Sequence, residues 1–191
     1  MAETHRLFFA LWPDDATRDA LAAAAQAVRQ RQHPAGRWNR PSRFHVTLQF
    51  LGGYPVWPDD IVARATTAAG EIETEPFSMK VDRASSFGSR VWWLGPAEVP
   101  PPLSRLVLRL RDGLRRHAVP HERGERFTPH VTILRDADRP LPPTPTPAVT
   151  WAPDAFVLAA GTSPGSGEYR VLQRWPIVPP PPAQAGLFDP V

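Results

Sequence analysis

The chain has 191 residues, 42% of them hydrophobic and 21% charged, a composition that fits one globular domain or two small lobes sharing a core. It has no cysteine, which excludes disulfides, thiolate metal sites and a cysteine nucleophile, and no apolar run near the roughly 18 residues that would span a bilayer. The net charge of +3 rests almost wholly on arginine, Lys80 being the single lysine, and it permits an RNA substrate without requiring one.

The first residues, Met1 to Arg6, carry an acid and lead into a strand pattern, so they do not read as a signal peptide, and the expectation is a cytoplasmic protein. Leu7-Phe8-Phe9-Ala10-Leu11-Trp12 is a short apolar run with the signature of a buried strand. Pro13-Asp14-Asp15 opens an alanine-rich helix over 16–30, with Leu21, Ala24, Ala25 and Val28 at helical spacing. Residues 32–41, with Pro34 and Gly36, form a loop. A half-buried strand follows over 44–51 and ends at Gly52-Gly53. The pattern then predicts a helix over 58–73, strands over 77–84 and 91–94, and a helix over 103–117 introduced by three prolines. Residues 128–134 repeat the strand pattern, 138–148 read as a proline-rich extended loop, and two last strands cover 155–160 and 169–176. This makes residues 1–177 one bilobal catalytic domain and 178–191 a proline-rich flexible tail.

An internal repeat runs through that order. Arg6-Leu7-Phe8-Phe9 matches Arg90-Val91-Trp92-Trp93, and His45-Val46-Thr47 matches His130-Val131-Thr132, at offsets of 84 and 85 residues. Each copy reads strand, helix, histidine strand, which points to two related lobes whose pairing would place the histidine strands side by side. Residues two apart on a strand share a face, so His45 joins Thr47 and His130 joins Thr132, while Val46, Leu48, Val131 and Ile133 turn the other way. Two imidazoles can divide acid and base work near neutral pH, and threonine hydroxyls can donate to phosphate oxygens. That set suits attack of water on a phosphodiester with no metal and no cofactor, because His-x-Thr offers one metal ligand per strand where zinc recruits three or more.

These residues resemble the two-histidine phosphoesterase superfamily, and within it the RNA 2′,3′-cyclic phosphodiesterases historically called 2′-5′ RNA ligases. The resemblance lies in Arg6 to Leu11, Phe44 to Gly52, Val91 to Gly95, Phe127 to Arg135 and Gly167-Glu168-Tyr169, in order along the chain. It implies an α+β, bilobal fold: two pseudo-symmetric antiparallel sheets with outer helices and a central cleft. It implies opening of an RNA 2′,3′-cyclic phosphate to a 2′-phosphate, with His130 as proton acceptor and His45 as proton donor. Thr47, Thr132 and Arg135 would bind phosphate, and Phe50, Phe127 and Tyr169 would contact the base or pack.

The remaining candidates read more plainly. Arg43 is a solvated edge charge. His5, His33, His117 and His121 are surface residues, and of Trp92 and Trp93 one belongs to the core. The tail peptide Gln184-Ala185-Gly186-Leu187-Phe188 is similar to peptides that dock on bacterial sliding clamps. The expected partner is RNA with a 2′,3′-cyclic phosphate end, or a small cyclic nucleotide, acted on by a monomer. Alternatives are 2′-5′ ligation by the reverse reaction and a non-catalytic RNA-binding protein using the same cleft.

Overall fold

The alternation of the first strand organises half of the molecule. In β1 (Thr4–Leu11) the odd residues Leu7, Phe9 and Leu11 enter the main core, while Phe8 and Ala10 enter a second apolar cluster with Val157 and Ala159. Apolar side chains on both faces make a strand that is central rather than marginal. The computed structural model describes residues 4–122, 127–163 and 168–179 of the chain. Two features expected from the sequence therefore lie outside the described residues: the peptide at 184–188, with most of the proline-rich tail, and Gly167.

After β1 come α1 (Asp15–Gln32), β2 (Arg37–Trp38), a short 3-10 turn (Pro41–Arg43) and β3 (Val46–Tyr54). Then follow α2 (Asp59–Gly70), β4 (Met79–Phe87), β5 (Val91–Pro96), α3 (Pro101–Arg116), β6 (Val131–Arg135), β7 (Thr144–Trp151), β8 (Ala155–Ser163) and β9 (Tyr169–Pro176). The Asp14 carboxylate caps α1 by accepting from the Thr17 amide at 2.7 Å, and Pro101 starts α3, where a missing N–H breaks no helical bond.

The strands form two antiparallel sheets, ordered β3-β1-β8-β9 and β2-β6-β5-β4-β7. The repeat is visible in both: each His-Val-Thr strand pairs with the Arg-led strand of its own copy, β3 with β1 and β6 with β5. The two histidine strands are thus not neighbours in one sheet, as the pairing of lobes predicted. They stand in different sheets: β3 pairs with β1, while β6 pairs with β5 on one side and, on the other, with β2, a two-residue strand inside the segment 32–41 that was expected to be loop.

Two local expectations also need correction. The segment 138–148 is not all loop, since β7 begins at Thr144 and pairs with β4. As an edge strand it tolerates Pro145 and Pro147, whose missing N–H groups would break the ladder of a central strand. Nor do Gly52 and Gly53 end β3, which runs on to Tyr54 opposite His5 and Arg6. Both tryptophans are buried: Trp92 on the core face donates Nε1–H to the Arg139 carbonyl at 2.8 Å, and Trp93 lies on the side of His130.

Candidate active site

Each histidine sits one residue before its strand rather than within it, as the first residue to leave the sheet ladder. Both are anchored identically. The Nδ1–H of His45 donates to the Arg43 carbonyl at 2.8 Å, and that of His130 donates to the Thr128 carbonyl at 2.8 Å. A carbonyl only accepts, so Nδ1 carries the proton and Nε2 is the nitrogen left for chemistry. The alternation expected from sequence survives at the first motif, where His45 Nε2 lies 3.1 Å from Thr47 Oγ1. Thr132 is placed by its backbone: its carbonyl accepts from Asn39 Nδ2 at 2.9 Å, and it pairs with Trp93. Among the described residues its hydroxyl makes no hydrogen bond.

Aromatic walls hold the two rings. His45 is stacked on Trp12 at 5.6 Å and 11°, and lies 5.0 Å from Phe8 and 5.1 Å from the edge-on ring of Tyr169. Phe87 meets His130 edge-on at 4.7 Å. Arg43, read from sequence as a solvated edge charge, is instead half-buried: it donates Nη2–H to the Tyr169 hydroxyl at 2.9 Å and its carbonyl orients His45. Tyr169 is thereby fixed against His45, and Gly161 makes room for it, since a Cβ there would come within 2.6 Å of the tyrosine ring.

The motifs of both sheets line one groove. Thr47 and Phe50 from β3 share it with Phe127, Thr128 and His130 from the second repeat, and Gln49, Arg111 and Glu122 complete the wall. Gln49 is buried and bridges the sheet to the loop, donating to the Glu122 carbonyl at 2.7 Å and accepting from Arg111 Nε at 2.9 Å. The cleft is electropositive: Arg135, at the end of β6, acts on both histidines and is itself within reach of Arg6, Arg43 and Arg37. Among the described residues no group of three or more His, Asp or Glu is placed to hold a metal ion.

Burial, ahead of the neighbouring His130, Arg135 and Arg43 charges, pushes the His45 pKa down from 6.5 to about 4, against a raising effect of its bond to the Arg43 carbonyl. His130 is lowered too, again mainly by burial. Between those values for His45 the unfolded chain binds the extra proton, so stability is complete above pH 6.5 and is lost as the pH falls toward 4. With a discount for the ring edge that meets cleft water, the loss for His45 is about 2 kcal/mol. Denaturant titrations at neutral pH and near pH 4.5 should show it in the native protein and show it reduced by that amount in His45→Gln.

Gly95 supports the second motif from behind. A Cβ there would stand 2.7 Å from the Pro129 carbonyl oxygen and 2.9 Å from the Trp93 ring, closer than atoms pack, so the segment leading into His130 must move. If His130 is a reacting group, Gly95→Ala should keep the fold and lower kcat by about 100-fold, the usual penalty for a misplacement of about 1 Å. A near-native kcat, measured on a variant with a native unfolding midpoint, would show that His130 tolerates the shift.

Sequence reasoning singled out Thr47, Phe50, Phe127 and His130, which line one groove, His45, which reaches that groove through Thr47, and Tyr169, which packs against His45, with Arg135 acting on both histidines. It missed Phe8, Trp12 and Phe87 as histidine walls and Gln49 as a bridge. A usable signal was present in β1, where period-2 alternation inside the all-apolar run puts Phe8 and Ala10 on the face opposite the core.

Comparison with known proteins follows the same lines. Residues 17–157 match the 2′-5′ RNA ligase superfamily. The chain is 32% identical over 184 residues to the RNA 2′,3′-cyclic phosphodiesterase of Escherichia coli K12, covering 92% of this chain and 98% of that protein. The crystal structure of E. coli LigT in apo form superposes with a TM-score of 0.75 at 30% identity, covering 91% of this chain and 98% of that one. The same protein complexed with 3′-AMP gives 0.73 at 31%, covering 92% and 98%. At 23% identity, TT0787 of Thermus thermophilus shares the fold, with a TM-score of 0.69 and coverage of 90% and 97%. With Thr47 and His130, one residue from each His-x-Thr motif, lining one groove and this agreement along nearly its whole length, the chain belongs to the 2′-5′ RNA ligase superfamily.

Proposed function

We propose that the protein hydrolyses RNA 2′,3′-cyclic phosphate ends to 2′-phosphates by acid–base catalysis between two imidazoles, without metal. The observation that carries this reading is the matched pair of histidines, each with Nδ1–H tied to a backbone carbonyl and Nε2 left for chemistry. Water attacks phosphorus as His130 Nε2 takes its proton. The P–O3′ bond breaks, and His45 Nε2–H delivers its proton to the departing oxygen, leaving a 3′-hydroxyl and a 2′-phosphate. Thr47 and Thr132 hold the non-bridging oxygens, Arg135 adds positive charge, and Phe50, Phe127 and Tyr169 flank the terminal nucleotide. In the free protein His45 is largely neutral at pH 7, and an anionic phosphate between the rings restores its proton.

One observation favours the reverse allocation: burial pushes the His45 pKa down to about 4, and an imidazole kept neutral in this way is a natural base. A cyclic substrate with sulfur at the bridging 3′ position needs little acid help, so it should restore turnover only in the variant that lacks the acid.

The family match and the E. coli relative's activity support the substrate class; residues 1–177 would form the catalytic unit of a cytoplasmic monomer. No helix among the described residues is long and apolar enough to cross a membrane. The test is incubation of an RNA ending in 2′,3′-cyclic phosphate with excess chelator, reading the product by phosphorus NMR. A 2′-phosphomonoester is expected. No turnover, with RNA retained on the protein, would move the assignment to a binding role. A 2′-5′ linkage formed with a 5′-hydroxyl RNA in preference to hydrolysis would move it to ligation.

A further inference from the structure

The cleft has two arms that share Thr47, Phe50, Glu122 and His130 and then diverge. One arm runs to Phe87, Phe127 and Gln49, aromatic and amide surroundings suited to a base. The other runs along β3 to Gly52 and ends at Arg6 and His121. Its volume, about 630 Å³, falls in the usual small-ligand range of about 300–1,000 Å³.

Arg6 distinguishes this second arm. Its counterpart in the other repeat, Arg90, is held by Asp136 at 2.6 Å. Arg6 has no ion pair or hydrogen bond with a described residue. It lies exposed on the cleft face of β1, with its guanidinium 5.2 Å from the centre of the Phe50 ring. A cation laid on an aromatic face keeps its N–H edges available for an anion. His121 already uses Nδ1–H on the Val119 carbonyl at 2.9 Å, which leaves Nε2 as its free ring position. Glu122, the acid lining this arm among the described residues, would repel an anion near it, which confines one to the end marked by Arg6.

We propose that this second arm is a subsite for the phosphodiester one nucleotide on the 5′ side of the cyclic phosphate, with Arg6 as its ligand and His121 as a hydrogen-bonding neighbour. The protein then selects RNA ends over free cyclic mononucleotides. The proposal rests on the cyclic-phosphate reading of the histidine pair and adds to it the requirement for a second phosphate.

The experiment compares kcat/KM for adenosine 2′,3′-cyclic phosphate, the same compound carrying a 5′-phosphate, and a trinucleotide ending in adenosine 2′,3′-cyclic phosphate. Wild type, Arg6→Gln and His121→Gln are measured at low and moderate salt. Wild type should favour both substrates that carry the second phosphate by about 10-fold, the size of one charge-assisted contact. Arg6→Gln should bring that preference close to unity while changing turnover of the plain mononucleotide by less than about 2-fold; the wild-type preference should shrink with salt. Equal kcat/KM for all three substrates in wild type, or an unchanged preference in Arg6→Gln, overturns the subsite and leaves the catalytic reading intact. A preference for the trinucleotide alone, absent with the 5′-phosphate, also overturns it in favour of base contacts. If none of the three is hydrolysed, the cyclic-phosphate reading fails and the subsite falls with it.

Discussion

Replacing either His45 or His130 by alanine should lower turnover of an RNA 2′,3′-cyclic phosphate by about 1,000-fold, within the range of 10²–10⁴ typical of a positioned acid or base. The two losses should not multiply. Each ring completes a proton transfer that is useful only when the other occurs, so His45→Ala with His130→Ala should be little worse than either alone. The variants also differ in a way that the packing predicts. His45 is enclosed by Phe8, Trp12 and Tyr169, so its removal leaves a gap beneath the cleft, whereas His130 is met edge-on by Phe87, itself 42% exposed. Unfolding midpoints measured beside the rates separate lost chemistry from lost structure. A fall of less than 10-fold in a folded variant would remove that histidine from the reaction.

The threonines should give the next largest effects. Thr47→Val and Thr132→Val keep the shape and strand preference of the side chain and delete only the hydroxyl. If that hydroxyl donates to a phosphate oxygen that gains charge in the transition state, each change should lower kcat by about 100-fold, with a small change in KM. The two are not equivalent in the free protein, because the Thr47 hydroxyl meets His45 Nε2 at 3.1 Å and that of Thr132 meets no described residue. Thr47→Val should therefore also shift the pH limb that belongs to His45, and Thr132→Val should leave both limbs in place. Steady-state kinetics over a pH series reads both effects. An unaltered kcat in both would assign the threonines to strand propensity alone.

The parts of this site legible in the sequence were those governed by local rules. Period-2 alternation paired His45 with Thr47, and the 84- and 85-residue offsets revealed a pseudo-symmetry that the two strand orders reproduce. What the sequence left hidden depended on which strands pair. Nothing local to Phe44–Gly52 says that its strand pairs with β1 instead of β6, and so the expected adjacency of the histidine strands was not met. The proline count misled at 144–151, because whether proline is tolerated depends on edge position, a property of the whole sheet. Arg43 was misread for a related reason. Its partner Tyr169 is 126 residues away, and only the β1–β8–β9 ladder brings the two together. Trp12 and Phe8 looked like core because both faces of β1 are apolar, and one of those faces is the bed of His45.

The pH dependence of kcat/KM on an RNA 2′,3′-cyclic phosphate, taken in excess chelator, tests the central claim most directly. Two imidazoles required in opposite protonation states give a bell, and kcat/KM reports their values in the free protein. Because burial lowers both, with His45 at about 4, the bell should centre below the ordinary imidazole value of 6.5. The kcat profile, measured with the anionic substrate bound, should lie at higher pH than the kcat/KM profile. A single-limbed or flat profile, or activity abolished by chelator, would contradict a reaction carried by the two histidines alone.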